Sequence, residues 1–226
     1  MNLHRNRTYG RRKGKSLRPR QAAALAQGLP DLSVKLDNIS SNPAAQFTRP
    51  VEDIWLEIGF GGGEHLLDLA QRRSAIGMFG CEPFVNGVVK LITGIQESGV
   101  ENIRIHAGDA VDLLEKLPAA SIGRIYLLYP DPWPKPRQRK RRFVNEANLA
   151  SMARVLKDGG ELRFASDIDD YCRWTLGKIR STGYFEDDSR NAEAVSQPWR
   201  HWLPTRYELK ARREGRSSSY YKFKKN

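Results

Sequence analysis

Ile125-Tyr-Leu-Leu-Tyr129, Pro130-Asp-Pro-Trp-Pro-Lys135 and Pro136-Arg-Gln-Arg-Lys-Arg-Arg142 follow one another without a gap. The first five residues are apolar and rich in β-formers, so they read as a buried strand. Prolines at 130, 132, 134 and 136 end that strand at once, because each lacks an amide donor and stiffens its neighbour. Asp131 is then expected on a rigid loop just past a strand's carboxyl end, which is where open α/β sheets bind ligands. Trp133 offers a flat face, either to stack on a base or to pack in the loop. Lys135, Arg137, Arg139, Lys140, Arg141 and Arg142 offer positive charge. A proline loop alone is most often a turn, and a basic run alone is a solvated face. The two abutting after a strand point to a site working on a base within a nucleic acid.

Upstream, Ile54-Trp-Leu-Glu-Ile58 is a second strand, followed by Gly59, Gly61, Gly62 and Gly63 and an amphipathic helix from about Glu64. Strand, glycine loop and helix open a doubly wound sheet. A dinucleotide fingerprint needs a third glycine that neither register supplies, since Glu64 or Leu66 stands there. Glu57 at the strand's end disfavours a pyrophosphate and favours a cationic nucleoside, and S-adenosylmethionine fits. Met78 to Cys81 reads as the next strand, with Glu82 at the offset where an acid grips ribose hydroxyls. Asn102 to His106 is a third strand. Asp109 after it either caps the next helix or accepts from an adenine amino group.

Downstream, a helix is expected from Asn145 until Gly159 and Gly160 end it. A fifth strand spans Glu161 to Ala165, with Ser166 and Asp167 at its end, and a helix follows from Asp169 to Arg180. The tail from Thr205 to Lys225 holds two strand-like pieces around Arg212 to Ser218, which a terminal hairpin would join. Residues 1–20 carry eight Lys/Arg and no acid, and are expected to be disordered. Residues 21–50 read as a connecting segment with a short helix near Gln21 to Gln27, and 51–226 as one domain.

The chain has 226 residues, 38 Lys+Arg against 26 Asp+Glu, and a net charge of +12. That surplus suits a nucleic acid or an anionic membrane surface. No apolar run approaches the roughly 18 residues of a membrane span, and no secretory signal is visible. Cys81 and Cys172 form no CxxC pair, which suits a reduced, cytoplasmic protein. The four histidines are scattered without ligand spacing, so no metal site is expected.

Taken together, Glu57-Ile-Gly-Phe-Gly-Gly-Gly63, Gly80-Cys-Glu-Pro83, Gly108-Asp-Ala110, Pro130-Asp-Pro-Trp-Pro-Lys135 with the run to Arg142, Ala165-Ser-Asp167 and Thr205-Arg-Tyr-Glu208 resemble one family, the bacterial tRNA (guanine-N7-)-methyltransferases. The proline loop and basic run are the specific part. The resemblance implies a Rossmann-like class I methyltransferase with seven strands, mostly parallel, and an antiparallel last strand. It implies methyl transfer from S-adenosylmethionine to N7 of the guanine at position 46 in the tRNA variable loop. By the same resemblance Glu57, Gly59, Gly61, Glu82, Asp109 and Ala110 hold the cofactor, and Asp131 is the active-site carboxylate bordering it. Lys135, Asp167, Thr205, Arg206, Tyr207 and Glu208 contact the substrate, and Arg137 to Arg142 engage RNA. The expected partner is tRNA, with no membrane and no obligatory protein partner. Two rivals remain: a class I enzyme methylating amino groups, disfavoured by Pro-Asp-Pro-Trp, and an RNA-binding module with a vestigial cofactor site, disfavoured by the intact acids.

Overall fold

Every apolar run bounded by glycine or proline becomes a strand, and the amphipathic stretches between them become covering helices. The computed structural model describes residues 9, 10, 12–189 and 195–226. In chain order the elements are α1 (Pro19–Leu32), β1 (Asp53–Ile58), α2 (Glu64–Arg72), β2 (Ile76–Cys81), α3 (Val85–Ser98), β3 (Ile103–His106), α4 (Ala110–Lys116), β4 (Ile122–Leu128), α5 (Glu146–Val155), β5 (Leu156–Ser166), α6 (Asp169–Thr182), β6 (Phe185–Asp187), α7 (Arg206–Arg213) and β7 (Ser219–Lys225). Short 3₁₀ turns occupy Pro43–Gln46 and Pro136–Arg141.

The described strands form one seven-stranded sheet in the order β3-β2-β1-β4-β5-β7-β6. Pairs from β3 through β5 are parallel, and β7 runs antiparallel to both β5 and β6. The strand order reverses between β1 and β4, so the chain leaves their carboxyl ends in opposite directions and opens a crevice there. Register sets Ile58 opposite Leu127 at that point. The glycine loop and the proline loop therefore emerge side by side. Leu56, Phe79, Ile125, Leu162, Phe164 and Phe223 line one face and are fully buried. Burying a side chain of this size contributes roughly 1.5–3 kcal/mol.

Three expectations change. Gly159 and Gly160 do not end α5; that helix stops at Val155 and Leu156 already starts β5. Gly159, at φ +71°, lies inside the strand, where the pairing with β4 shifts register between Ile122 and Arg124. The terminal hairpin is absent, because Thr205 caps α7 with its side chain and β7 pairs with β5 and β6 instead. Residues 21–50 do more than connect. Helix α1 packs on α3, Val34 N–H donates to Ile105 O at 2.9 Å, and Val34, Ile39 and Phe47 enter the core. Residues 1–8 and 11 of the basic tail lie outside the described residues.

Two glycines separate backbone fit from open space. A Cβ on Gly87 would stand 2.1 Å from Gly61 O, so α3 and the glycine loop could not keep their distance. A Cβ on Gly177, within α6, would meet nothing within 4 Å. Urea unfolding is expected to show Gly87→Ala destabilised by about 1–3 kcal/mol. Gly177→Ala should be stabilised by roughly 0.5–1 kcal/mol through helix propensity. Equal midpoints for the two variants would contradict this packing.

Candidate active site

The glycine loop is held open by backbone geometry. Gly59, Gly61 and Gly63 have φ of +75°, +58° and +79°, a region L side chains rarely adopt. Gly59 N–H donates to Cys81 O at 2.8 Å. Gly61 N–H donates to Glu82 Oε2 at 2.7 Å, and Phe84 N–H to Glu82 Oε1 at 2.9 Å. The end of β2 thus fixes the loop after β1. Between them and the proline loop lies a cavity of about 360 Å³, within the usual range for small-ligand sites.

Of the residues expected to hold the cofactor, Gly59, Gly61, Glu82, Ala110 and Asp131 line this one cavity. Ile58, Cys81, Leu127 and Leu128 make an apolar part of its wall, and Lys140, Arg141 and Arg142 line the part next to the basic run. Burial pushes the Glu82 carboxyl up; its two amide donors and Arg206 oppose this in part. Burial likewise raises the Asp131 carboxyl and holds the Cys81 thiol protonated. Glu82, buried, and Asp131, more exposed, set two carboxylates beside the glycine loop and the apolar wall, where they disfavour a phosphate and favour a cation. The donor set therefore fits a cationic nucleoside.

Two acids sit just behind the wall. Asp109 caps α4, accepting from Val111 N–H at 3.0 Å, which realises one of its two readings and sets Ala110 at the cavity. Glu57 is buried beneath the glycine loop, with Oε2 2.7 Å from His65 Nδ1. A carboxylate only accepts, so Nδ1 carries the proton. The His65 ring lies between Tyr126 and Trp202, each 4.9 Å away centroid to centroid.

The basic run divides. Lys135, Arg137 and Lys140 are exposed. Arg139 bonds Asp170 at 3.0 Å. Arg141 stacks 5.0 Å from the Trp133 ring and 5.1 Å from the Tyr9 ring. Trp133, at φ +42° and on the cavity wall, thus packs within the loop through Arg141. Arg142 departs from expectation: it is 1 % exposed and grips protein, not RNA. Its Nε donates to Pro132 O at 2.7 Å, its Nη2 pairs with Asp170, and its guanidinium lies over Tyr171 and Trp174.

Near the C-terminus, Tyr207 lines the cavity and Arg206 reaches the glycine loop beside it. Thr205 is the cap of α7, accepting from Glu208 N–H at 3.2 Å. Glu208 also departs from expectation as a substrate contact. It is 0 % exposed, and its carboxylate accepts from Trp202 Nε1 at 2.6 Å and pairs with Arg212. Asp167 is half-buried and accepts from Arg216 Nε at 2.7 Å. Sequence reasoning missed Tyr9 and Gly10, which line the cavity from the basic tail. Their one signal was a lone aromatic among charges.

A family model described as a putative methyltransferase matches residues 51–220. The tRNA (guanine-N(7)-)-methyltransferase of Rhizobium meliloti (strain 1021) is 51% identical over 218 residues, covering 96% of this chain and 94% of that one. Its namesake in Ruegeria sp. (strain TM1040) is 47% identical over 224 residues, covering 96% and 87%. Among solved structures, an antibiotic-related methyltransferase superposes with a TM-score of 0.56 at 17% identity, covering 88% of this chain and 97% of that one. The 16S rRNA methyltransferase KamB superposes with a TM-score of 0.56 at 14% identity, covering 82% and 92%. Likeness at that identity speaks for the fold alone.

The divided basic run predicts divided phenotypes. Arg142→Ala removes the donor to the Pro132 carbonyl and one of the two cations on Asp170, and empties the space between Tyr171 and Trp174, and should lower stability by roughly 1–3 kcal/mol. The exposed pair Arg137→Ser and Lys140→Ser should leave the unfolding free energy within about 0.5 kcal/mol of the parent. That pair should instead flatten the salt dependence of RNA binding by about 0.9 in log–log slope per lost phosphate contact. A stable Arg142→Ala that loses RNA binding would return Arg142 to the RNA interface.

Proposed function

The chain belongs to the tRNA (guanine-N7-)-methyltransferase family, and we propose that it methylates N7 of the guanine at position 46 in the variable loop of tRNA, with Asp131 holding the base. The observation that carries this reading is the shared cavity: Gly59 and Gly61 from the loop after β1, Glu82 after β2 and Asp131 after β4 all line it. A cofactor site and a base-reading carboxylate thus face one space. The family's cofactor is S-adenosylmethionine, which supplies a methyl group on a cationic sulfonium and leaves as the neutral thioether S-adenosylhomocysteine. Glu82 would hold its ribose hydroxyls and Asp109 with Ala110 its adenine. The glycine loop, backed by Glu57, would pass along its amino-acid end. Lys135, Asp167, Arg206 and Tyr207 would border the incoming nucleotide, and Arg137 and Lys140 would meet phosphates.

Guanine N7 has a lone pair and no proton, so no base is needed to free the nucleophile. What the protein must do is aim N7 and accept the positive charge that appears on the purine. Asp131 can accept from guanine N1–H and the 2-amino group. As charge develops, N1–H becomes a stronger donor and this bond tightens, which is selective stabilisation of the transition state. Adenine presents an acceptor at N1 and no 2-amino group, so the same carboxylate rejects it. The target base must leave its stack to enter the cavity. Among the described residues no helix is long and apolar enough to cross a membrane. We place the activity in the cytoplasm, where tRNA is.

Methyl incorporation into tRNA carrying G46→A is expected to vanish while the unaltered tRNA is methylated; equal incorporation would displace position 46. Asp131→Asn turns one acceptor into a donor facing guanine's donors, which costs roughly 1–3 kcal/mol or more per mispaired group. Single-turnover rates should fall at least about tenfold, with no rescue by imidazole. Rescue rising with the pKa of the added base would make Asp131 a general base. Because burial raises the Asp131 carboxyl, the rate should fall on the acid side at a pH above the ordinary aspartate value of about 3.9. The same sign makes ionisation a folding cost that appears as pH rises through the folded pKa. Asp131→Asn should therefore melt no lower than the parent at neutral pH.

A further inference from the structure

Helices cover both faces of a doubly wound sheet, so its strands are usually apolar on both sides. One face here obeys that rule across its width. The other is aliphatic where α2 and α3 cover it, at Met78, Ile103 and Ile105, and aromatic beyond, at Tyr126 and Tyr220 with Trp199 and Trp202 against them. Further across, the same face carries Trp55, Arg124, Tyr126, Arg163 and Lys222. They are cross-strand neighbours by register: Trp55 with Arg124, Tyr126 with Arg163, and Arg163 with Lys222. Arg72 and Arg73 at the end of α2, and the turn Trp199 to His201, wall this face into a cleft of about 1060 Å³. No residue lines both this cleft and the active-site cavity.

The cleft is built from cations laid on rings. Arg124 sits 4.1 Å over Trp55, and Arg163 lies 5.7 Å from Tyr126 and 5.4 Å from Trp199. Glu161 is shared among three cations, with Arg124 at 2.8 Å, Arg163 at 3.0 Å and Lys222 at 3.9 Å. Asp188 pairs with Lys222, and Asp68 with Arg72. Six Lys/Arg against these three carboxylates leave a surplus of three positive charges. Arg124 Nε is buried and faces Glu161 at 2.8 Å, off ideal hydrogen-bonding geometry, so that guanidinium is held in place against Trp55. An apolar partner would strip water from these guanidinium groups without replacing its hydrogen bonds, at a cost of several kcal/mol. A polyanion would satisfy them, and the rings tolerate sugar and base edges.

We propose that this cleft is a second docking surface for the sugar–phosphate backbone of the substrate tRNA, away from the nucleotide in the active site. The proposal rests on the tRNA reading above. Continuity of the chain supports it: Arg200 lines the cleft and Tyr207 lines the active-site cavity. Seven residue steps span at most about 25 Å, well within the length of a folded tRNA.

The test is the double variant Arg73→Glu/Arg200→Glu, at two exposed rim positions outside the active site. Titration of tRNA binding against salt should show the log–log slope reduced by about 2, at roughly 0.9 per lost phosphate contact. The KM for tRNA should rise about tenfold or more, while kcat at saturating tRNA, S-adenosylmethionine affinity and melting temperature hold. An unchanged slope and KM would overturn the proposal. So would binding of free ATP that the substitutions abolish while the tRNA slope stays put, since that would make the cleft a mononucleotide site. Methylation of tRNA by the parent enzyme, run alongside, tests the underlying reading separately. If it fails, the reading of function is wrong; if it succeeds with an unaltered slope in the variant, only the cleft assignment is wrong.

Discussion

The guanidinium of Arg142 ties the active-site loop to the rest of the protein. After β4 the chain makes a run of alternating prolines that has no ladder to hold it. Ten residues beyond Pro132, Arg142 returns, donates to that residue's carbonyl and pairs with Asp170 at the start of α6. Tyr171 and Trp174, from the same helix, sandwich it. Asp131 is therefore positioned by the core and by α6 together. The burial is costly: Nη1 has no hydrogen-bond partner among the described residues, and such a donor forfeits roughly 1–3 kcal/mol. The loop's rigidity is what that cost sustains.

Charge is sorted by solvent. The two carboxylates on the cavity wall carry pKa values raised by burial. Of the exposed cations of the basic run, Lys135 and Arg137 lie outside the cavity and Lys140 on its wall. A uniformly basic surface would draw RNA to many places. Under the function proposed above, the acids at the cavity would repel phosphate and keep the backbone on the rim while a neutral base enters. Arg206 and Tyr207 link the two zones, since they lean over the glycine loop from α7 while Arg206 also acts on Glu82.

The sheet and its ligand-binding edge were legible because hydrophobic runs and glycine breaks act locally. Strands β1 to β4 fall within a few residues of where periodicity places them. Failures came where tertiary partners outweighed local signals. Gly159 and Gly160 read as a helix stop, yet β5 had a neighbour to pair with and absorbed them as an irregular start. The stretch ahead of Arg212 to Ser218 reads as the first strand of a hairpin, but the Thr205 cap and the buried Glu208 make it helical. Within the basic run no spacing distinguishes Arg142 from Arg137. Only the fold shows that one meets Tyr171 and Trp174 while the other meets water. Tyr9 at the cavity mouth was invisible for the same reason.

The central claim is that Asp131 touches the Watson–Crick edge of the target guanine. The direct measurement is a cycle of single-turnover rates combining Asp131→Asn with inosine in place of that guanine, which removes only the 2-amino donor. If the carboxylate accepts from that group, the two changes report one contact and their effects should be non-additive by about 1 kcal/mol or more. Additivity within about 0.5 kcal/mol would mean that Asp131 and the guanine edge do not meet, and would contradict the account.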